Sequence, residues 1–176
     1  MQKPTQYLLC GLPFSGKTTL GKQLARRPGF VHINLDQIKA DKGYGVVSDD
    51  DVSDAAWAEI FQIADTRLID SLQRGFCVAN ETAWVTRAWR DRARAVAQKA
   101  GFPTRIVYLE VPEETVKRRW QDNKKKKKRY DPSESEFNGY IQEFEPPSAE
   151  EDVIVYDGKI AQDAWIQKTF HPNNHT

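Results

Sequence analysis

The residues with the strongest chemical signal form a glycine-rich segment near the N-terminus, directly after a short apolar run. From Gly11 to Thr18 the chain matches the pattern G-x-x-x-x-G-K-[ST] at every fixed position. Glycines let backbone N–H groups turn toward phosphates, and the following helix adds the positive end of its dipole. Lys17 is expected to reach the β- and γ-phosphate oxygens, and the Thr18 hydroxyl to bind Mg²⁺. The predicted ATP-binding residues are Gly11, Pro13, Phe14, Ser15, Gly16, Lys17, Thr18 and Thr19.

Two more candidates follow the second predicted strand. Asp36 lies just beyond the carboxyl end of that strand, where open α/β sheets place their ligands. A carboxylate there can orient an acceptor hydroxyl and take its proton, as phosphoryl transfer requires. The alternative is that Asp36 only caps the following turn. Lys39, one helical turn later, is predicted either to contact a substrate phosphate or to be solvated.

The third predicted strand ends in Asn80 and Glu81, where most P-loop proteins have an acid that supports Mg²⁺ through water. Either residue could serve, and we predict Thr18 and Asn80 as the metal site, with a turn-forming role as the alternative for Asn80. The next predicted helix carries a row of arginines, which by default we expect to lie on its solvated face. Arg87 lies nearest the predicted cleft and is therefore a candidate substrate contact.

The elements that must position these residues alternate between buried strands and helices. Short apolar runs predict five strands, at 7–10, 30–33, 76–79, 105–109 and 153–156. Helical spacing predicts helices between and after them, at 18–26, 54–73, 86–100, from 112, at 133–144 and at 161–170. Strands that alternate with helices need right-handed crossovers, which favours an α/β fold with a doubly wound parallel sheet. A length of 176 residues predicts a single domain over 1–176.

The formal net charge is +1, from 26 Lys and Arg against 25 Asp and Glu, which argues against a uniformly basic nucleic-acid binder. The charge is nevertheless sorted by position, because a strongly basic stretch up to Arg129 is followed by an acid-only segment over 131–152. The consecutive lysines of 124–128 repel one another, so a solvated loop is the default. Segment 117–132 could close as a basic lid over the phosphates, contact nucleic acid through Lys124–Arg129, or have no further role.

Compartment and membrane signals are weak or lacking in the sequence. Cys10 and Cys77 lie in apolar runs and are expected to be buried thiols. No apolar run approaches the roughly 18 residues of a membrane span. The first residues do not resemble a signal peptide. We therefore expect a cytoplasmic protein with no membrane contact.

Together these pieces resemble the small P-loop kinases that group with the polynucleotide 5′-kinase domain, chloramphenicol phosphotransferase and zeta-toxin-like enzymes, within the AAA-type ATP-binding proteins. The matching segments are Gly11 to Thr19, Asp36 with Lys39, Val78 to Thr82 before an Arg-bearing helix, Val111 to Glu114 leading to Arg118 and Arg119, and Phe144 to Pro147. The resemblance implies a three-layer P-loop NTPase fold with sheet order 2-3-1-4-5. It also implies that Asp36 is the acceptor-activating base and that Arg119 contacts the ATP phosphates.

Three residues depart from the pattern of these kinases. Phe14 stands where a glycine is common, Asn80 where relatives often have Asp, and Lys39 where polynucleotide kinases favour Arg. These departures leave the acceptor open.

The leading hypothesis is an ATP- and Mg²⁺-dependent kinase that phosphorylates a hydroxyl of a small molecule or of a nucleic-acid end. Its predicted catalytic residues are Asp36, Lys17 and Arg119, and its predicted substrate contacts are Asp36, Lys39 and Arg87. One alternative is an ATPase or nucleotide-dependent switch without a phosphate acceptor. Another is a nucleic-acid-binding module that uses the lysine run.

Overall fold

The central strands of the sheet consist of residues that are buried on both faces. In the computed structural model, which describes residues 3–82, 84–126 and 131–170, all five residues of β1 (Gln6–Cys10) and of β3 (Cys77–Glu81) are buried. The other strands are β2 (Phe30–Asn34), β4 (Thr104–Leu109) and β5 (Val153–Tyr156). The five strands form one parallel sheet in the order β2-β3-β1-β4-β5. This order confirms the predicted P-loop NTPase fold.

The helices cover both faces of the sheet and pack against it through apolar clusters. Their bounds are α1 Lys17–Ala25, α2 Leu35–Lys39, α3 Asp54–Gln73, α4 Arg87–Lys99, α5 Glu113–Lys126, α6 Glu134–Glu143 and α7 Gln162–Thr169. Leu9 packs with α1 and α7 on one face, and Val78 packs with α3 on the other. The side chains of Ser53 and Thr86 cap α3 and α4 by accepting hydrogen bonds from backbone N–H groups. The predicted start of α4 is thereby confirmed.

The predicted basic lid is partly helical. Lys124, Lys125 and Lys126 continue α5, so for these three residues the expected loop is wrong. Lysine is a good helix former, and positive charge is favourable in the last turn of a helix. The remaining basic residues of the run, at 127–129, lie outside the described part of the chain. The lid function of segment 117–132 stays a prediction.

One ion pair is fully buried. Arg90 is 1% exposed, and its Nε and Nη2 each donate to a carboxylate oxygen of Glu151 at 2.9 Å. Arg90 Nη1 also donates to the carbonyls of Trp84 and Glu145. Arg90 is therefore not on a solvated face. It holds α4 against the segment that leads into β5.

We expect Glu151→Ala to lower the free energy of unfolding at pH 7 by about 3–5 kcal/mol, because the variant leaves a buried, uncompensated guanidinium. Burial would raise the pKa of Glu151, but hydrogen bonds from Arg90 and from the Ser148 amide outweigh it and lower the pKa from 4.5 to about 2. The pair's contribution is thus fully present above about pH 4.5 and is lost as the pH falls toward 2.

Urea unfolding at several pH values measures this effect. Glu59→Ala is the control, because the Glu59 side chain is 53% exposed and its ion pair with Lys42 lies at the surface. Its expected cost is about 0–1 kcal/mol. Equal losses in the two variants would contradict a stabilising role for the buried pair.

Cys10 and Cys77 are free, buried thiols, as predicted. No helix within the described residues is long and apolar enough to cross a membrane. The cytoplasmic location stays a prediction.

Candidate active site

The glycine-rich segment forms a tight loop between the end of β1 and the start of α1. Gly11 and Gly16 have φ values of 150° and 107°. A Cβ atom on Gly11 would lie 2.9 Å from the backbone oxygen of Leu109 and 2.9 Å from Ser15 Oγ, so no larger residue fits there. Lys17 Nζ donates to the carbonyl oxygens of Gly11 at 2.8 Å and Leu12 at 3.0 Å. The loop therefore holds the lysine ammonium at its own centre.

Phe14 adopts a left-handed conformation with φ 65°, which is the region that a glycine enters without strain. Its ring packs edge-on against Phe137 of α6, with centroids 6.1 Å apart. Phe137 in turn stacks on Trp120 of α5 at 4.5 Å. The phosphate loop is thus joined by an apolar cluster to α5, which forms part of the predicted lid, and to α6, which follows the lid in the chain.

A buried carboxylate lies directly beside the loop. Glu81 is 4% exposed, and its Oε1 accepts a hydrogen bond from the Thr18 hydroxyl at 2.6 Å. Its Oε2 accepts from Asn34 Nδ2 at 3.0 Å and lies 2.7 Å from His32 Nε2. A Cβ on Gly21 would overlap the His32 ring, so α1 packs closely over His32 at this glycine. These contacts fix the Glu81 carboxylate against Thr18.

Asn80 faces the opposite side of β3. Its Nδ2 donates to the side chain of Gln6 at 2.9 Å, within the sheet and away from Thr18. The structure therefore does not bring the predicted metal residue Asn80 to the phosphate loop. It brings Glu81 there instead. The two residues are neighbours in an extended strand, so their side chains point to opposite faces.

Asp36 lies in the first turn of α2, directly after the carboxyl end of β2. It lines a cavity of about 370 Å³ together with Lys17, Thr18 and Glu81. Within the described residues, no group donates a hydrogen bond to its carboxylate. The side chain remains accessible, but the cleft removes much of its surrounding water, and this desolvation raises the pKa of Asp36. The carboxylates of Glu81 and Asp49 raise it further, and the ammonium groups of Lys17 and Lys39 partly offset them.

Lys39 also lines this cavity, but it is buried rather than solvated. Its Nζ donates to the carbonyl of Val47 at 2.5 Å and pairs with Asp49 at 2.7 Å. Asp49 also accepts from the Tyr140 hydroxyl at 3.1 Å. Lys39 therefore ties the segment after α2 into a wall of the cavity, and Tyr140 extends that wall to α6.

A second cavity, of about 530 Å³, lies on the other side of the phosphate loop. Arg119 of α5 lines it and donates from Nη1 to the carbonyls of Phe14 at 3.0 Å and Ser15 at 3.1 Å. Thr19 and Gln162 line the same cavity. Phe14, Gly16 and Thr18 line both cavities, so the loop separates two adjoining spaces.

Arg87 is not brought to either cavity. Its Nε lies 3.1 Å from both carboxylate oxygens of Asp91, and its Nη1 donates to Ser148 Oγ at 3.4 Å. These partners hold the side chain along α4. This placement does not support the predicted contact of Arg87 with a substrate.

The donor set at the loop suits Mg²⁺. Among the described residues no group of three or more His, Cys, Asp or Glu side chains could hold a metal ion alone. The hydroxyl of Thr18 and the carboxylate of Glu81 are hard oxygen donors, which Mg²⁺ prefers, and Mg²⁺ usually takes its other ligands from phosphates and water. The residues present therefore fit a metal that is bound together with a nucleotide.

The parallel sheet order and the phosphate loop define the P-loop NTPase class. A family model described as an AAA domain matches residues 7–147. The chain therefore belongs to the AAA domain family. No curated protein sequence matches the chain significantly.

Solved structures share the fold along most of the chain. The APS kinase CysC of Mycobacterium tuberculosis, solved with AMPPNP and APS, has a TM-score of 0.68 at 16% identity, with 97% of each chain covered. A gluconokinase from Sinorhizobium meliloti 1021 has a TM-score of 0.65 at 18% identity, with 96% of this chain and 90% of that chain covered. A chain of the Pnkp1/Rnl/Hen1 RNA repair complex has a TM-score of 0.64 at 20% identity, with 81% and 44% covered. The family match and these folds agree with the resemblance to small P-loop kinases.

Proposed function

We propose that this protein is an ATP-dependent kinase that transfers the γ-phosphate to a hydroxyl group of a small molecule or of a nucleic-acid end. The observation that carries the proposal is the pair of adjoining cavities on either side of the phosphate loop. The larger one takes the nucleotide, and the smaller one takes an acceptor beside Asp36. A switch or ATPase needs only water as its acceptor, so a separate cavity with its own carboxylate favours a kinase.

Each residue of the site has a separate role in phosphoryl transfer. Lys17 and Arg119 hold the phosphates and balance the charge that spreads over the transferring group. Asp36 accepts the proton of the acceptor hydroxyl. The hydroxyl oxygen then bonds to the γ-phosphorus as the bond to the β–γ bridging oxygen breaks, which releases ADP. The raised pKa of Asp36 makes it a stronger base than an ordinary aspartate.

Thr18 would hold the Mg²⁺ that accompanies ATP, and Glu81 would support it through water in place of the predicted Asn80. When bound, the metal supplies positive charge at the β- and γ-phosphate oxygens. The protein's own part is to keep Glu81 fixed, through His32 and Asn34, beside the Thr18 hydroxyl.

We expect Glu81→Gln to raise the Mg²⁺ concentration needed for half-maximal activity by about 10- to 100-fold, the usual cost of losing an outer-shell partner. Asn80→Ala is the control, since its side chain contacts Gln6 and not the loop. Titration of ATP turnover with Mg²⁺ measures both variants. A shifted Mg²⁺ dependence in Asn80→Ala, with none in Glu81→Gln, would show that Asn80 is the metal residue.

A transfer screen with γ-labelled ATP tests the function directly. The acceptor panel contains nucleosides, sugars, antibiotics and 5′-hydroxyl oligonucleotides, and Lys17→Ala is the blank. We expect label in at least one acceptor with the wild type and about 10²- to 10³-fold less with the blank. Steady release of inorganic phosphate with no labelled acceptor would favour the ATPase or switch. Nucleic-acid binding that survives Lys17→Ala without any transfer would favour the binding module.

A further inference from the structure

A third cavity, of about 390 Å³, runs along the edge strand β2 between α1 and α3. It is comparable in volume to the acceptor cavity, and the transfer step described above does not use it. Its walls come from Lys22 of α1, from β2 itself, and from Arg67, Asp70 and Ser71 of α3.

The cavity carries two cations whose side chains are not engaged elsewhere. Within the described residues, neither Lys22 nor the Arg67 guanidinium takes part in an ion pair or a side-chain hydrogen bond. Asp70 lines the same cavity, but its carboxylate pairs with Arg74 at 3.4 Å. His32 also lines it and is held by Glu81. The free charge that faces the cavity is therefore positive.

This cavity adjoins the acceptor cavity. Thr18, Asn34 and Gln37 line both of them. These shared residues place the space between Lys22 and Arg67 next to the space beside Asp36.

Among the described residues, the lysines that line the acceptor cavity are already engaged. Lys39 is bound by Asp49 and by the Val47 carbonyl. Lys17 belongs to the phosphate loop, and the carboxylates of Asp36 and Glu81 face the same space. A phosphate or carboxylate group would be repelled beside Asp36, and among the described residues it would find unpaired positive charge in the neighbouring cavity at β2.

We propose that the cavity between Lys22 and Arg67 is an anion-binding subsite, which takes a phosphate or carboxylate group that the acceptor carries at a distance from its reacting hydroxyl. The claim that the subsite holds part of the acceptor rests on the proposed kinase function. The claim that the subsite binds an anion does not, and the two claims are tested by separate measurements.

The test uses inorganic pyrophosphate as the probe and isothermal titration calorimetry at low ionic strength. Saturating AMPPNP with excess Mg²⁺ blocks the phosphate loop, so the remaining binding reports other sites. We expect pyrophosphate to bind the blocked wild type, and Lys22→Ala and Arg67→Ala each to weaken it by about tenfold or more, the usual loss for a charged hydrogen bond. Lys99→Ala is the matched control, because Lys99 lies in the last turn of α4 as Lys22 does in α1.

The outcomes are distinct. Binding that disappears with AMPPNP, or that is equally strong in Lys22→Ala, Arg67→Ala and Lys99→Ala, overturns the subsite. Failure of the kinase proposal leaves this titration unaffected, because it involves no phosphoryl transfer.

Paired acceptors test the acceptor part of the proposal. A nucleoside is compared with its 3′-phosphate, and a sugar with the acid derived from it. We expect the anionic member to have the lower KM, and Arg67→Ala to remove about tenfold of that advantage. This part would be overturned if the wild type and Arg67→Ala both had the lower KM for the neutral member, to the same extent.

Discussion

Asp36→Asn is expected to lower phosphoryl transfer by about 10²- to 10⁴-fold, the usual contribution of a general base. ATP affinity should change little, because Asp36 lines only the cavity on the acceptor side of the loop. The substitution keeps the shape and a polar group but removes the ability to accept a proton. Single-turnover transfer measures the first effect, and equilibrium binding of AMPPNP measures the second.

Asp41→Asn is the control for Asp36→Asn. Asp41 lies just after α2 and is bonded to Gln37 at 2.9 Å, but it does not line the acceptor cavity. It should leave the transfer rate near the wild-type value. Wild-type transfer in Asp36→Asn would show that Asp36 is not the base.

The pH dependence of kcat/KM should also reflect the role of Asp36 as the base. Because the pKa of Asp36 is raised above its ordinary value of 3.8, kcat/KM is expected to fall as the pH drops through a value higher than 3.8. The residual activity of Asp36→Asn should lack this acidic limb.

Lys17→Ala is the second change with a large expected effect, a loss of about 10²- to 10³-fold in transfer, as for removal of a preorganised charge at the transferring group. The ammonium is held within the loop by the Gly11 and Leu12 carbonyls, so it need not be ordered at the moment of reaction. Its removal should also weaken ATP binding, unlike Asp36→Asn. Transfer rates and AMPPNP titrations on the same preparation separate the two effects.

Lys17→Met is the companion variant, since it retains an apolar stem of similar length without the charge. We expect it to be as inactive as Lys17→Ala. Substantial activity in Lys17→Met would mean that packing, and not charge, is what the loop requires at this position.

The strands and long helices could be predicted because their periodicity is strong and local. Residues 54–73 form a helix with the predicted bounds, since Ser53 caps it and its apolar positions recur at helical spacing. The short segment after β2 could not be predicted. There α2 is followed by a π-helical turn with Gly43 at φ 91°, and Lys39 reaches forward to Asp49 to hold it. Such a segment depends on tertiary contacts and not on a local pattern.

The phosphate loop and the position of Asp36 followed from motif and strand ends alone. The choice between Asn80 and Glu81 as the residue beside the loop did not follow from the sequence, because it depends on where β3 ends and on which face of the sheet α1 covers. The apolar run covers only 76–79, but β3 continues to Glu81, so Asn80 and Glu81 both lie within the strand and alternate in direction. Asn34 pairs in register with Glu81, and this alignment exists only in the folded sheet.

The partners of Arg90 and His32 could not be predicted from local sequence patterns either. Arg90 finds Glu151 at a separation of 61 residues, and His32 meets Glu81 across 49 residues. Only the three-dimensional sheet order brings these charges together. Arg119, assigned through the resemblance, does lie against the loop carbonyls.

The central claim is that the γ-phosphate goes to an acceptor activated by Asp36. The most direct measurement follows γ-labelled ATP with an acceptor found in the screen, and compares label in the acceptor with label in inorganic phosphate for the wild type and Asp36→Asn. We expect the wild type to place most label in the acceptor, and Asp36→Asn to bind ATP normally but to label the acceptor at least about 100-fold more slowly. Equal labelling of the acceptor by the two proteins, or release of all label as inorganic phosphate by the wild type, would contradict it.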